Sequence, residues 1–207
     1  MAEEGLIDFE ASLRRRIADL ERLDVGFALV GGLAVSVRAE PRLTRDADFA
    51  VSVADDSEAE DVIRRLVADG YIATEVVEQE STGRLATARL THDDDPGVLT
   101  DLLFASSGIE PEIVVAAERL EVLPGLVVPV ATVGHLIAMK LLARDDRLRP
   151  ADADDLRALT DLADGHDWDL ARASVSLITE RGYDRSRDLV AALEVLRREG
   201  PFTRDGA

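Results

Sequence analysis

The chain has no cysteine. That excludes structural disulfides and zinc sites built on thiolates, and it fits a reducing compartment. Lysine is almost as scarce. The twenty-four lysines and arginines include a single lysine, Lys140, which leaves twenty-three arginines. Bases as a class fall short of acids, twenty-four against forty-two, for a formal net charge of −18. So acidic a chain lacks the broad basic face that non-specific nucleic-acid binding needs for counterion release, though a local basic patch stays compatible with it. A long apolar run is missing too. The longest stretch without Asp, Glu, Lys or Arg covers residues 122–139 and holds Pro124, Gly125, Pro129 and Gly134. Those residues break it into strands, turns and a helix start, so no membrane span is expected. Met1-Ala-Glu-Glu has no basic n-region of a secretory signal, and the expected location is cytoplasmic.

What is present is enough for a full core. At 207 residues the chain fits one domain with an appendage, or two small ones. Leu6, Phe9, Leu13, Ile17, Leu20 and Leu23 fall at helical spacing, and Arg14-Arg15-Arg16 rides on that helix as a solvated face or a phosphate-contacting patch. Strands are expected at residues 27–30, 47–53, 72–77, 83–90 and 98–104, with one or two more at 120–130. Short helices are expected at 31–37 and 55–69, the second ended by Gly70. Residues 92–97, His-Asp-Asp-Asp-Pro-Gly, have the composition of a turn-rich acidic loop. From Thr132 the pattern becomes helical, at 132–143, 150–162, 168–181 and 185–198. Trp168 is expected to pack those last helices. The three histidines, His92, His135 and His166, share no ligand spacing and suggest no zinc site. The expected architecture is α/β, a mixed sheet flanked by helices over residues 1–131, followed by a helical region over 132–207.

The most informative motif is a pair of glycines with two carboxylates behind it. Phe27-Ala-Leu-Val30 leads into Gly31-Gly32, and Asp46-Ala-Asp48 follows fourteen residues after Gly32. A glycine turn at a helix start offers backbone N–H groups to a phosphate. On a strand, residues i and i+2 share a face, so Asp46 and Asp48 point the same way. Two adjacent carboxylates repel unless a cation sits between them, and Mg²⁺ is a natural partner. Together these suggest a site for a metal-bound nucleoside triphosphate. Asp101 lies inside another apolar run, Val98 to Phe104, where a lone carboxylate is costly unless paired or metal-bound. Lys140 sits in Leu136-Ile-Ala-Met-Lys-Leu-Leu-Ala143, an apolar helix in which an unpaired ammonium is equally costly.

These residues resemble the nucleotidyltransferase superfamily, whose mark is an apolar residue, Gly, Gly or Ser, a spacer, and Asp-apolar-Asp. Here the spacer runs from Leu33 to Arg45, and the form Arg42-Leu-Thr44-Arg45-Asp46-Ala-Asp48 is similar to the AbiEii/AbiGii-type toxin branch. The resemblance implies that Asp46, Asp48 and Asp101 bind metal and act in catalysis. It implies that Gly31, Gly32, Thr44, Arg45 and Lys140 hold the nucleotide, with Lys140 also counted catalytic. Asp152 and Asp155, at i and i+3 on the following helix, match the branch's acidic pair and would orient Lys140 or Arg147. The implied cofactor is Mg²⁺ and the implied reaction moves NMP from an NTP to a hydroxyl of tRNA or protein, with an antitoxin as possible partner. Two other functions fit the same residues. One is a small-molecule, antibiotic-modifying nucleotidyltransferase. The other is a catalytically weak nucleotide-binding or partner-binding protein on this fold.

Overall fold

The computed structural model describes residues 2–39, 46–143 and 150–200. Along them run α1 (Ala2–Leu23), β1 (Gly26–Val30), α2 (Gly31–Arg38), β2 (Ala47–Ser52), α3 (Asp56–Ala68), β3 (Tyr71–Glu78), β4 (Leu85–His92) and β5 (Asp95–Leu103). Then come α4 (Glu110–Ala116), β6 (Glu118–Leu123), β7 (Leu126–Val130), α5 (Val133–Ala143), α6 (Pro150–Leu162), α7 (Gly165–Glu180) and α8 (Leu189–Glu199). The strands form a seven-stranded sheet in the order β3-β4-β5-β2-β1-β7-β6. It is mixed: β2 pairs parallel with β5 and β1 parallel with β7, whereas the other neighbouring pairs are antiparallel. The expected α/β class is the class observed.

The central strands are apolar on both faces because helices cover both. Ala28, Leu29 and Val30 of β1 and Ala47, Phe49, Ala50 and Val51 of β2 are fully buried. One contiguous core links them to Leu13, Ile17 and Leu20 of α1, to Leu136, Ile137 and Leu141 of α5 and to Val175 and Ile178 of α7. α5 crosses α7 closely at Gly134, where a Cβ would lie 2.5 Å from the Asp167 carbonyl oxygen. Local caps mark the helix starts. Asp55 accepts from the Glu58 N–H at the head of α3, and Asp164 forms a reciprocal capping box with Asp167 at the head of α7.

Three expectations need correction, and one helix was missed. Residues 92–97 are not an acidic loop but a tight hairpin, since β4 runs to His92 and β5 begins at Asp95. Its acids are counter-ions. Asp94 pairs with Arg15, and Asp95 accepts both terminal nitrogens of Arg16 at 2.9 and 3.0 Å. The arginine run is accordingly not a phosphate patch. Arg14 pairs with Glu10 and the Pro124 carbonyl, and Arg16 is only 1% exposed, with further bonds to the Ser12 and Val98 carbonyls. α4 was not anticipated: Pro111 opens it and Ile113 buries it against β1 and β2. α8 begins at Leu189, capped by Asp188, because Arg185 and Ser186 take left-handed backbone angles (φ 55° and 58°) that no helix continues. Trp168 does pack α7 against α8, with the Arg197 guanidinium 5.7 Å from its ring centre.

Candidate active site

Strand register builds the site. Across neighbouring strands, Glu75 of β3 is opposite Arg89 of β4, Arg89 is opposite Asp101 of β5, and Asp101 is opposite Asp48 of β2. Asp48 is in turn opposite Val30, the last residue of β1. Adjacent strands lie about 4.8 Å apart, so this is a row of charged side chains across the sheet. Each member lines a single cleft of about 400 Å³, together with Gly31, Lys140 and Asp152.

Gly31 follows Val30 directly and opens α2. Its φ is +67°, a region that favours glycine, and a Cβ there would sit 1.8 Å from Asp48 Oδ2. The backbone at the helix start thus lies against the carboxylate. The N-cap residue, Val30, makes no side-chain cap hydrogen bond at that helix end. Gly32 is buried one residue further on, and its carbonyl accepts from the Ser36 hydroxyl at 3.0 Å.

Asp48 sits in a field of its own sign. Burial, then the charges of Asp101 and Asp46, push its carboxyl up to about 7, while Lys140 and Arg89 pull it down. Asp101 is held by Arg89 in a fork: Nε donates to Oδ1 and Nη2 to Oδ2, both at 2.8 Å. On the opposite wall, Lys140 of α5 donates to Asp152 Oδ1 at 2.7 Å and pairs with Asp155 Oδ2 at 2.6 Å. Both acids are buried on α6. An ammonium has three donors, and these partners leave one for a ligand. Asp152 Oδ2 is buried with no hydrogen-bond partner among the described residues.

Asp48, Asp101, Lys140, Asp152 and Gly31 therefore share one cleft, although Lys140 follows Asp48 by ninety-two residues. Asp46 stands exposed just before β2, close enough for its charge to act on Asp48. Among the described residues no three His, Asp or Glu side chains are arranged as one metal-binding group. Thr44, Arg45 and Arg147 lie outside the described residues. Sequence reasoning missed Arg89, Glu75 and Arg185, all lining the cleft. Glu75 on the exposed strand β3 and Arg89 between Ala88 and Leu90 read like any surface strand residues, and only the pairing of β3, β4 and β5 sets them beside Asp101.

A mixed sheet that ends β1 in a glycine helix start, beside carboxylates on the two neighbouring parallel strands, defines a protein of the nucleotidyltransferase fold. One solved structure agrees at the level of fold, and two more resemble the chain more loosely. A nucleotidyltransferase-like antigen from Paracoccidioides brasiliensis matches at 16% identity and a TM-score of 0.50, over 90% of this chain and 92% of that one. The lincosamide antibiotic adenylyltransferase LnuA, lincomycin-bound, matches at 16% identity and 0.48, over 74% and 98% of the two chains. A nucleotidyltransferase described as putative from H. pylori matches at 15% identity and 0.46, over 94% and 95%. The family described as "Nucleotidyl transferase AbiEii toxin, Type IV TA system" matches residues 13–205, and the chain belongs to that nucleotidyltransferase family. No curated protein matches it. No helix among the described residues is long and apolar enough to cross a membrane.

Proposed function

We propose that this protein transfers NMP from an Mg²⁺-bound NTP to a hydroxyl of tRNA or protein. The observation that carries it is the row Arg89–Asp101–Asp48 set against the Gly31 helix start, with Lys140 facing it. Asp48 and Asp101 stand opposite each other on neighbouring parallel strands and line the same cleft, and such a pair of hard carboxylate oxygens suits a divalent cation. Mg²⁺ when bound supplies positive charge against the triphosphate and orients it.

The remaining roles fall to the chain itself. Asp48, Asp101 and Asp46 hold the cation. The N–H groups at Gly31 and Gly32 donate to phosphate oxygens. Lys140, fixed by Asp152 and Asp155, gives its remaining N–H to the triphosphate. Thr44 and Arg45 are assigned to nucleotide binding by their place in the motif. Asp101 takes the proton of the attacking hydroxyl. The hydroxyl oxygen bonds to the α-phosphorus, the bond from that phosphorus to the β-phosphate oxygen breaks, and pyrophosphate leaves. In this scheme residues 1–131 carry the acids and residues 132–207 close the site with Lys140. The cytoplasm and an antitoxin partner are the setting this family suggests.

Purified protein incubated with Mg²⁺ and each labelled NTP tests the assignment. Label should pass to RNA or protein in a cell extract, and Asp48→Asn should reduce transfer by about 10² or more. Transfer only to an added antibiotic would favour a small-molecule enzyme, which the net charge of −18 also suits. Nucleotide binding with no transfer to any acceptor, or transfer indifferent to Asp48→Asn, would overturn the proposal.

A further inference from the structure

Asp101 is occupied by a cation of the protein's own. The Arg89 fork takes both its oxygens at 2.8 Å. Arg89 is the more exposed partner, 40% against 17%, so its guanidinium covers Asp101 from the solvent side of the cleft. On its other flank Glu75 stands 3.4 Å from Nη1. The strand register thus gives an alternating line, Glu75 then Arg89 then Asp101, before the like-charged neighbour Asp48. Burial makes Asp101 and Asp48 poor neighbours without a cation between or beside them.

We propose that Arg89 is a displaceable counter-cation: it neutralises Asp101 in the free protein, and gives Asp101 up to an entering divalent cation while Glu75 retains it. This rests on the proposed metal–nucleotide site. A guanidinium bound in a fork and a metal ion compete for the same carboxylate oxygens, and like charges repel at that distance. Displacement would normally strand a charge. Here it does not, because Glu75 already lies within ion-pair distance on the far side and both residues face open solvent. Arg89 is thereby a positioning residue. It keeps the two acids of the cleft from repelling each other before substrate arrives, and it sets the threshold for metal entry.

The test is Mn²⁺ binding alone to the full chain, followed by electron paramagnetic resonance, for wild type and Arg89→Gln, Arg89→Lys, Glu75→Gln and Asp101→Asn. Arg89→Gln is expected to bind Mn²⁺ about tenfold more tightly than wild type, the loss of one competing charge-assisted pair. Arg89→Lys should fall between wild type and Arg89→Gln, since it keeps the charge but not the two-point fork. Glu75→Gln should bind Mn²⁺ several-fold more weakly, because the displaced guanidinium loses its second partner. Arg89→Gln binding no more tightly than wild type, while Asp101→Asn still weakens binding, would overturn this inference and leave the metal site standing. Equal binding by wild type and Asp101→Asn, or no Mn²⁺ bound by any variant, would overturn the metal site and the inference with it.

Discussion

At the scale of single residues, the site leaves no spare room at Gly31. A methyl group there would fall on the Asp48 carboxylate, and the backbone angle of +67° already disfavours a side chain. Gly31→Ala is expected to destabilise the fold by about 1–2 kcal/mol. The larger effect is expected on activity, because Asp48, the proposed cation holder, must turn away, and a displacement of about 1 Å in a reacting group can cost 10²-fold. Denaturant titration alongside the labelled-transfer assay separates the two. A variant with wild-type transfer would show that the close approach of Gly31 to Asp48 has no functional weight. The glycines and the first two carboxylates were legible in the sequence because they lie close on the chain, fourteen residues apart. Arg89 was not, because its meaning comes from Asp101, a partner on another strand twelve residues away.

At the scale of elements, α5 does two jobs: it fills the core and it presents Lys140. Its own buried His135 records how dry that core is. The ring is 2% exposed, with Nδ1 3.0 Å from the Thr132 hydroxyl oxygen. Burial pulls its pKa down to about 4, and the Glu112 charge on α4 only partly opposes this. Between about 4 and the ordinary 6.5 the unfolded chain therefore holds more protons than the folded one. Stability from this group is intact above pH 6.5 and is lost as pH falls toward 4. The loss is on the order of 3 kcal/mol by pH 4. Denaturant titrations at pH 7.5 and 4.5 should show a smaller fall for His135→Gln than for wild type. An equal fall in both would remove His135 from the acid response. The α5 helix itself was legible from its composition. The hairpin after His92 was not, because Asp94 and Asp95 are explained by Arg15 and Arg16 on α1, about eighty residues earlier.

At the scale of the whole molecule, the excess of acids sets the response to salt. The pairs around the core, such as Arg16 with Asp95, are shielded from solvent and weakly screened. The remaining charge, −18 overall, repels itself across the surface. Raising NaCl from about 10 mM to about 0.5 M is expected to raise the Tm by a few degrees, as screening relieves that repulsion. A fall in Tm, read by differential scanning fluorimetry, would mean that paired surface charges outweigh the net excess.

The sequence by itself determined the α/β order of elements apart from α4, the glycine helix start, the Asp46 and Asp48 pair, and the membership of a nucleotidyltransferase family. All of these rest on local periodicity and on motifs a few residues long, which a linear chain carries intact. Tertiary structure alone decided the register that lines up Glu75, Arg89, Asp101 and Asp48, and the crossing that brings Lys140 to them with Asp152 and Asp155 behind it. It also turned the arginine run from a surface patch into an anchor for the hairpin. The physical reason is common to all three. A charge is costly in a core until it meets its opposite, and which opposite it meets depends on strand pairing and helix packing between residues far apart in the chain.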